Sequence, residues 1–471
     1  MNMFSRFHQW KKVMIISLVV GLLAACTGGN KSELPPMPES GEGTIRVLYW
    51  NEEQFMKDYG SSFNVKYPDI EFEVVSTGEM HQTMGPDDDY HEKMLAFVKD
   101  KRLDVVILNQ PDYERFSSEG LLYKIDSLIE DEEYPIDDFH PGVIDLLREK
   151  GGNALHGLAA HFSTSALFYN VDLFKEYGVE LPRHKMSVNE VLELAARFES
   201  KSNNDKDRIY GFDVEHNQLG YGLISFADMA NLMLVDPKAE KIVMDSEAWK
   251  TLFFNYAELV KDKKINYFDR SSNEMQPGFY NGKAAMMIGQ SWSIGQMKTM
   301  QYLSDKNGKK HKAFEWGMVT IPVDPSRPDE SKIISLASIL SMMKDAPNKR
   351  ASWEFIKFSA GIEMAKITGK SEGKLTTRTK YQKDIDGKSV EAFTMLKPSS
   401  HSPFLFETLN KNKVPQEFFR NLFTEFDNAF KDIASGKETT EQAYEELQIK
   451  LQQQLDVAKK KSVTAQEENV E

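Results

Sequence analysis

The residues best suited to chemistry in this 471-residue chain are aromatic rings set beside amides and carboxylates. Trp50 is followed by Asn51 and Glu52, Asn109 and Gln110 precede Asp112, and His161 adjoins Phe162. Tyr221 lies farther on, and Gln290 and Ser291 lead into Trp292. Aromatic faces pack against flat arrays of C–H groups, while amides and carboxylates take up hydroxyls withdrawn from water. Such a set suits non-covalent recognition of a neutral, polyhydroxylated molecule. Covalent chemistry finds less support. Gly289-Gln290-Ser291-Trp292-Ser293 departs from the Gly-x-Ser-x-Gly nucleophile elbow at its last position, and no His or acid stands in a partner's context. Met364 occupies the place where a phosphate loop ending in Gly369-Lys370-Ser371 requires glycine. Asp87-Asp88-Asp89-Tyr90-His91 lacks the spacing of a calcium loop and reads as a solvated turn. Neither a metal nor a cofactor is expected.

These residues need elements to hold them. Residues 44–50 are apolar on both faces beyond Arg46, as a strand buried in a parallel sheet must be. Residues 54–67 read as a helix stopped before Pro68, 71–75 as a second strand and 103–108 as a third. This alternation argues an α/β layer structure, in which ligands bind just beyond the carboxyl ends of the strands. Trp50, Asn51 and Glu52 then follow the first strand, and Asn109, Gln110 and Asp112 the third. Asn51 and Glu52 are read as polar groups facing a ligand rather than as helix caps. Residues 156–170 hold an apolar segment, a short polar patch and a second apolar segment. That pattern suits a strand leaving one compact unit and entering another, with 161–164 exposed at the crossing. Residues 210–213 and 219–226 are expected to pass the ligand again.

Farther along, Ser187 and Glu190 form a capping box before a helical repeat, and Thr439 with Gln442 can form another. The final helix that follows aligns Tyr444, Leu447, Leu451 and Leu455 on one face. The aromatics of 249–260 and most of the five phenylalanines of 415–430 are read as core, with Phe418 or Phe419 able to reach the ligand.

Length allows roughly two to four domains. A hydrophobic content of 41% with 11% aromatics is that of a folded protein. The formal charge is −14, and setting aside residues 1–25, with three cations and no acid, takes the remainder to −17. So acidic a body is a poor partner for phosphate backbones, and nucleic acid is not expected. Cys26 is the only cysteine, which excludes an intrachain disulfide and a Cys-rich metal site. Arg6, Lys11 and Lys12 precede an apolar run over 13–25, of signal-peptide length and short for a membrane span. The run ends Leu23-Ala24-Ala25-Cys26, which resembles the lipobox of bacterial lipoproteins. By that resemblance 1–25 is a signal peptide and Cys26 carries acyl chains on the outer face of the cell membrane. Residues 26–43, with Gly28, Gly29, Pro35, Pro36 and Pro38, read as a flexible tether.

Four stretches resemble the extracellular solute-binding proteins of ABC importers, the family containing maltose-binding protein. They are 167–182, with Tyr169-Asn170-Val171-Asp172-Leu173-Phe174; 279–292, with Gly282-Lys283-Ala284-Ala285-Met286 and Trp292; 347–358; and 435–443. The resemblance implies a periplasmic-binding-protein-like α/β fold, with two discontinuous lobes joined by hinge strands. Residues 44–160 and 337–376 would form lobe 1, residues 161–336 and 377–456 lobe 2, and 457–471 a polar tail. It further implies a monomer that closes over a carbohydrate, populates the closed form when ligand is bound, and delivers it unchanged to membrane permease subunits. Trp50, Phe162, Tyr221 and Trp292 would offer stacking faces; Asn51, Glu52, Asn109, Gln110, Asp112, His161 and Gln290 would offer hydrogen bonds. Two alternatives stay open: a binder of peptides, polyamines or another charged solute, favoured by Glu52 and Asp112, and a tethered carbohydrate-active enzyme.

Overall fold

The computed structural model describes residues 33–39, 41–85, 90–202, 207–214, 218–267, 278–306, 313–371, 373–385, 387–399 and 404–468, with backbone alone for 301–306 and 462–468. The signal-peptide and lipid-anchor readings, Cys26 among them, and Asp87 to Asp89 lie outside the described residues. The chain divides into two units. Described residues up to 138, with 147–158 and 340–361, form the first; 139–146, 159–339 and those from 362 onward form the second.

Unit 1 is built on a five-stranded sheet of β1 (Gly43–Tyr49), β2 (Ile70–Ser76), β3 (Val105–Leu108), β4 (Gly157–Ala159) and β13 (Ile339–Met342), in the order β2-β1-β3-β13-β4. β1 runs parallel to β2 from Gly43↔Ile70 to Tyr49↔Ser76, and parallel to β3 at Val47↔Val105 and Leu48↔Val106. Flanked on both edges, it buries Ile45, Val47 and Leu48. The helix after β1 starts at Glu52, two residues earlier than the apolar pattern suggests, and passes through a π-helical turn at Met56–Gly60 into Ser61–Lys66. This path buries Phe55, Tyr59 and Phe63 against Phe355 of the helix Lys349–Ser359, with Phe63 and Phe355 edge to face at 5.3 Å.

That same helix is tied by charge to Glu132, which caps the carboxyl end of the helix Asp126–Asp131. Glu132 accepts from Arg350 Nη1 and Lys357 Nζ, each at 2.5 Å, and Glu354 accepts from Lys357 at 2.9 Å and from Tyr67 Oη at 3.0 Å. All four charged side chains of this network are largely buried.

Unit 2 has a five-stranded sheet of β6 (Ser165–Asn170), β7 (Tyr210–Val214), β8 (Ile265–Tyr267), β9 (Ala284–Gln290) and β10 (Trp316–Thr320), ordered β10-β6-β9-β7-β8. β7 is parallel to both β8 and β9, whereas β6 is antiparallel to β9 and β10. A small antiparallel sheet joins β5 (His161–Ser163) to β12 (Ser335–Leu336) and β14 (Leu375–Thr376). Residues 375–376, expected with the first lobe, fall in unit 2 because Leu375 pairs with Phe162 and Thr376 with His161. Two further short strands, β11 (Glu330–Ser331) and β15 (Lys397–Pro398), pair in parallel. The apolar run 333–341 is not one strand: it breaks at Ala337 and Ser338 into β12 and β13.

Both capping boxes form. Ser187 Oγ accepts the Glu190 N–H at 3.2 Å while Glu190 accepts the Ser187 N–H at 2.7 Å, and Thr439 and Gln442 reciprocate at 3.1 and 3.2 Å. The helix Gln416–Ser435 buries Phe418, Phe423, Phe426 and Phe430, and leaves Phe419 half-buried between Phe406 and Phe423. The last helix, Thr440–Glu468, buries Tyr444, Leu447, Leu451 and Leu455 as the spacing predicts. Its backbone stays helical through Glu468, so most of the polar tail expected over 457–471 continues this helix. Among the described residues no helix is long and apolar enough to cross a membrane, and no group of three or more His, Cys, Asp or Glu could hold a metal ion.

Replacing Glu132 by Ala leaves two mostly buried cations sharing one carboxylate. Denaturant unfolding should show a loss of about 3 kcal/mol, the usual cost of removing one member of a buried ion pair; an unchanged midpoint would refute a structural role for the network.

Candidate functional site

In unit 1 the three parallel strands β1, β2 and β3 bring their carboxyl ends to one edge of the sheet. Trp50 directly follows β1 and is 54% exposed, an unusual state for an indole. Its backbone is tied to the neighbouring turn, where Ser76 Oγ donates to the Trp50 carbonyl at 2.7 Å and accepts the Gly78 N–H at 3.1 Å. Ser76 thereby starts the helix Thr77–Gln82. From that helix His81 meets the indole edge to face, with ring centroids 5.3 Å apart and planes at 66°. The ring sequence continues to Tyr90, tilted on His81 at 5.7 Å, and to His91, at a right-angled 5.4 Å from Tyr90. It ends where His91 Nδ1 meets Asp112 Oδ1 at 2.6 Å.

Two expectations are corrected here. Asn51 caps a helix: its Oδ1 accepts the Gln54 N–H at 2.8 Å. Asp112 is only 2% exposed and its carboxylate is engaged by His91, which withdraws it from a ligand-facing role. Asn109 is exposed but also acts as a cap, accepting the Asp112 N–H at 2.8 Å. Both asparagines end strands whose following helices need an acceptor for their first N–H groups. Gln110 is half-buried and Glu52 exposed. Burial, with the nearby Asp112 charge, pushes the Tyr90 hydroxyl up to about 12.

In unit 2 the parallel set β7, β8 and β9 likewise ends on one side. Gln290 closes β9, and Trp292, 43% exposed, opens the helix Trp292–Lys306 and donates its indole N–H to Gln290 Oε1 at 3.2 Å. Ser291 is buried and its hydroxyl donates to the Gly373 carbonyl at 2.9 Å. Gly373 has φ +82° and lies against Trp292, so a side chain there would be strained. Tyr221, 37% exposed, sits on the helix Leu219–Met229 with its ring on Phe423 at 5.6 Å. Residues 219–226 are therefore helical, whereas 210–213 are strand.

Phe162 is corrected: only 3% exposed, it packs on the His140 ring at 5.1 Å and offers no stacking face. The alternation of β5 turns it inward, between a half-buried His161 and an exposed Ser163.

A sequence model of the bacterial extracellular solute-binding proteins matches residues 49–366, about two thirds of the chain. The chain belongs to that family. Solved structures with the same fold include an extracellular solute-binding protein family 1 member from Alicyclobacillus acidocaldarius (TM-score 0.60, 13% identity, 90% of this chain and 100% of that one). UspC of M. tuberculosis is similar (0.59, 16%, 88% and 100%), as is the sugar-binding protein MalE from the phytopathogen Xanthomonas citri (0.57, 19%, 90% and 100%).

Several residues of this solute-binding protein stand with the candidate set although the sequence singled none of them out. His81 and Tyr90 join Trp50 through ring contacts. Tyr267, exposed at the carboxyl end of β8, lies on the strand end shared with Gln290. The Ser76-Thr77-Gly78 capping pattern was the available signal for the His81 helix; Tyr267 closes too short a strand to mark itself.

On the same helix as Tyr221 the solute-binding protein carries a nearly buried ion pair, Lys332 Nζ to Asp228 Oδ1 at 2.8 Å, with the ammonium over the Phe404 ring at 5.4 Å. Burial raises the Asp228 carboxyl more than Lys332 lowers it. The two halves of this pair should respond differently to mutation. Asp228→Ala strands a buried ammonium and should cost about 3 kcal/mol at neutral pH. Lys332→Met leaves a carboxyl that can take up a proton. A carboxyl raised on folding stabilises the native state at low pH and loses that contribution as pH rises through its folded value. Relative to the unsubstituted protein, Lys332→Met should therefore gain stability between pH 7 and pH 5, read from melting temperatures; equal pH profiles would contradict the assignment.

Proposed function

We propose that this chain is the solute-binding lipoprotein of an ABC importer, that it binds a carbohydrate through its exposed aromatic and polar side chains, and that it passes the ligand unaltered to membrane permease subunits. The observation that carries this reading is the exposure of Trp50 and Trp292, each within two residues of the end of a strand with a parallel neighbour and each beside an amide side chain. Water-exposed indoles are unfavourable unless a partner covers them, and a sugar's C–H face is a fitting cover. Within unit 2 alone, Tyr221, Tyr267 and Trp292 are all exposed, and several rings suit an oligosaccharide better than one sugar ring. The similarity to a protein described as sugar-binding supports the ligand class. The membrane attachment rests on the lipobox-like Leu23-Ala24-Ala25-Cys26.

A cationic or peptidic ligand is the weaker reading, since Asp112, one of its two acids, faces His91 within unit 1. The reaction class is binding; no nucleophile or acid pair emerges among the described candidate residues.

A thermal-shift screen of mono- and oligosaccharides against polyamines and short peptides tests the proposal. A ligand present at a hundredfold its Kd should add about 2.7 kcal/mol of stability. Trp50→Ala and Trp292→Ala should each abolish the shift produced by a sugar. A screen in which only amines or peptides raise the melting temperature overturns the carbohydrate assignment.

A further inference from the structure

We infer that His81 is a positioning residue that holds the Trp50 indole in a ligand-ready orientation, with Tyr90 as its support. The inference rests on the reading that Trp50 is a ligand-stacking residue, and goes beyond it by naming what fixes that ring.

An indole 54% exposed at the end of a strand has rotamer freedom, and a ligand that stacked on it would have to quench that freedom on binding. The structure removes it in advance by two tethers from one turn. Ser76 Oγ fixes the Trp50 backbone through its carbonyl at 2.7 Å. His81, one helical turn farther on, meets the ring edge to face at 5.3 Å, within the range of favourable aromatic pairing. The imidazole is itself held: its Nδ1–H donates to the Thr77 carbonyl at 2.8 Å, four residues back along the same helix. Because a carbonyl can only accept, this bond sets the tautomer and the ring plane together. Tyr90 also meets the imidazole, tilted at 5.7 Å, and is braced in turn by His91, whose Nδ1 is tied to the buried Asp112. The turn after β1, the helix after β2 and the helix after β3 are thus joined by one run of rings that ends in a carboxylate.

The test uses the full chain labelled with 5-fluorotryptophan, its Trp50 fluorine signal assigned by loss in Trp50→Phe. His81→Ala should narrow that signal as the indole gains local motion, while the other tryptophan signals and the melting temperature stay in place. His81→Phe, which keeps a ring without the imidazole's polarity, should restore the width in part or whole. Tyr90→Leu, which leaves His81 present but unsupported, should narrow it to a lesser degree. With whichever sugar the thermal screen identifies, His81→Ala should weaken binding about fivefold, the equivalent of losing one aromatic pair, and His81→Phe should bind within about twofold of the unsubstituted protein. An unchanged Trp50 line width in His81→Ala, or a His81→Phe protein as loose as His81→Ala, overturns the inference. If no sugar binds, the functional reading fails while the line widths still decide the positioning claim.

Discussion

Parallel pairing of β1 between β2 and β3 is the constraint on which the candidate site of unit 1 depends. A strand bonded on both edges buries its side chains on both faces, and Ile45, Val47 and Leu48 show that burial. Parallel neighbours must also end on the same side, so the residues that follow each strand are brought to one edge whatever their distance in sequence. Trp50, Ser76 and Asn109 meet there for that reason. Unit 2 repeats the device with β7, β8 and β9, whose parallel course places Tyr267 and Gln290 at a common end.

At these ends the polar residues divide between building and presenting. A helix that begins just past a strand leaves N–H groups unsatisfied, and a nearby asparagine supplies the acceptor, typically for about 1 kcal/mol. Asn51 and Asn109 do this. Asp112 is drawn inward because its position three residues past Asn109 faces His91, and an unpaired carboxylate so deeply buried would be costly. Trp50, Glu52, Trp292 and Tyr267 are left outward.

Two groups of buried ion pairs are built differently. In unit 1, Glu132, Arg350, Glu354 and Lys357 alternate in sign, so each charge has at least one opposite partner. In unit 2, Lys332 and Asp228 form a lone pair in which burial works against the carboxylate and the Phe404 ring supports the ammonium. The first arrangement locks two segments of one unit together. The second holds the helix that carries Tyr221, and makes the stability of that neighbourhood depend on protonation.

Local pattern carried much of this in advance. The buried strand at 43–49, the capping boxes at Ser187 and Thr439, and the apolar face of the last helix follow from periodicity and short-range sterics, which any stretch of sequence displays by itself. The direction of single side chains did not. Asn51 at a strand end could serve a helix or a ligand equally well, and the bond to Gln54 decides it. Phe162 reads as an available ring until β14 pairs with its strand and His140 covers it. His81 carries no mark of its role in any window around it. Its contacts with Trp50 and Tyr90 exist only because parallel strands and their turns bring distant residues to one edge, and that is a property of the folded sheet.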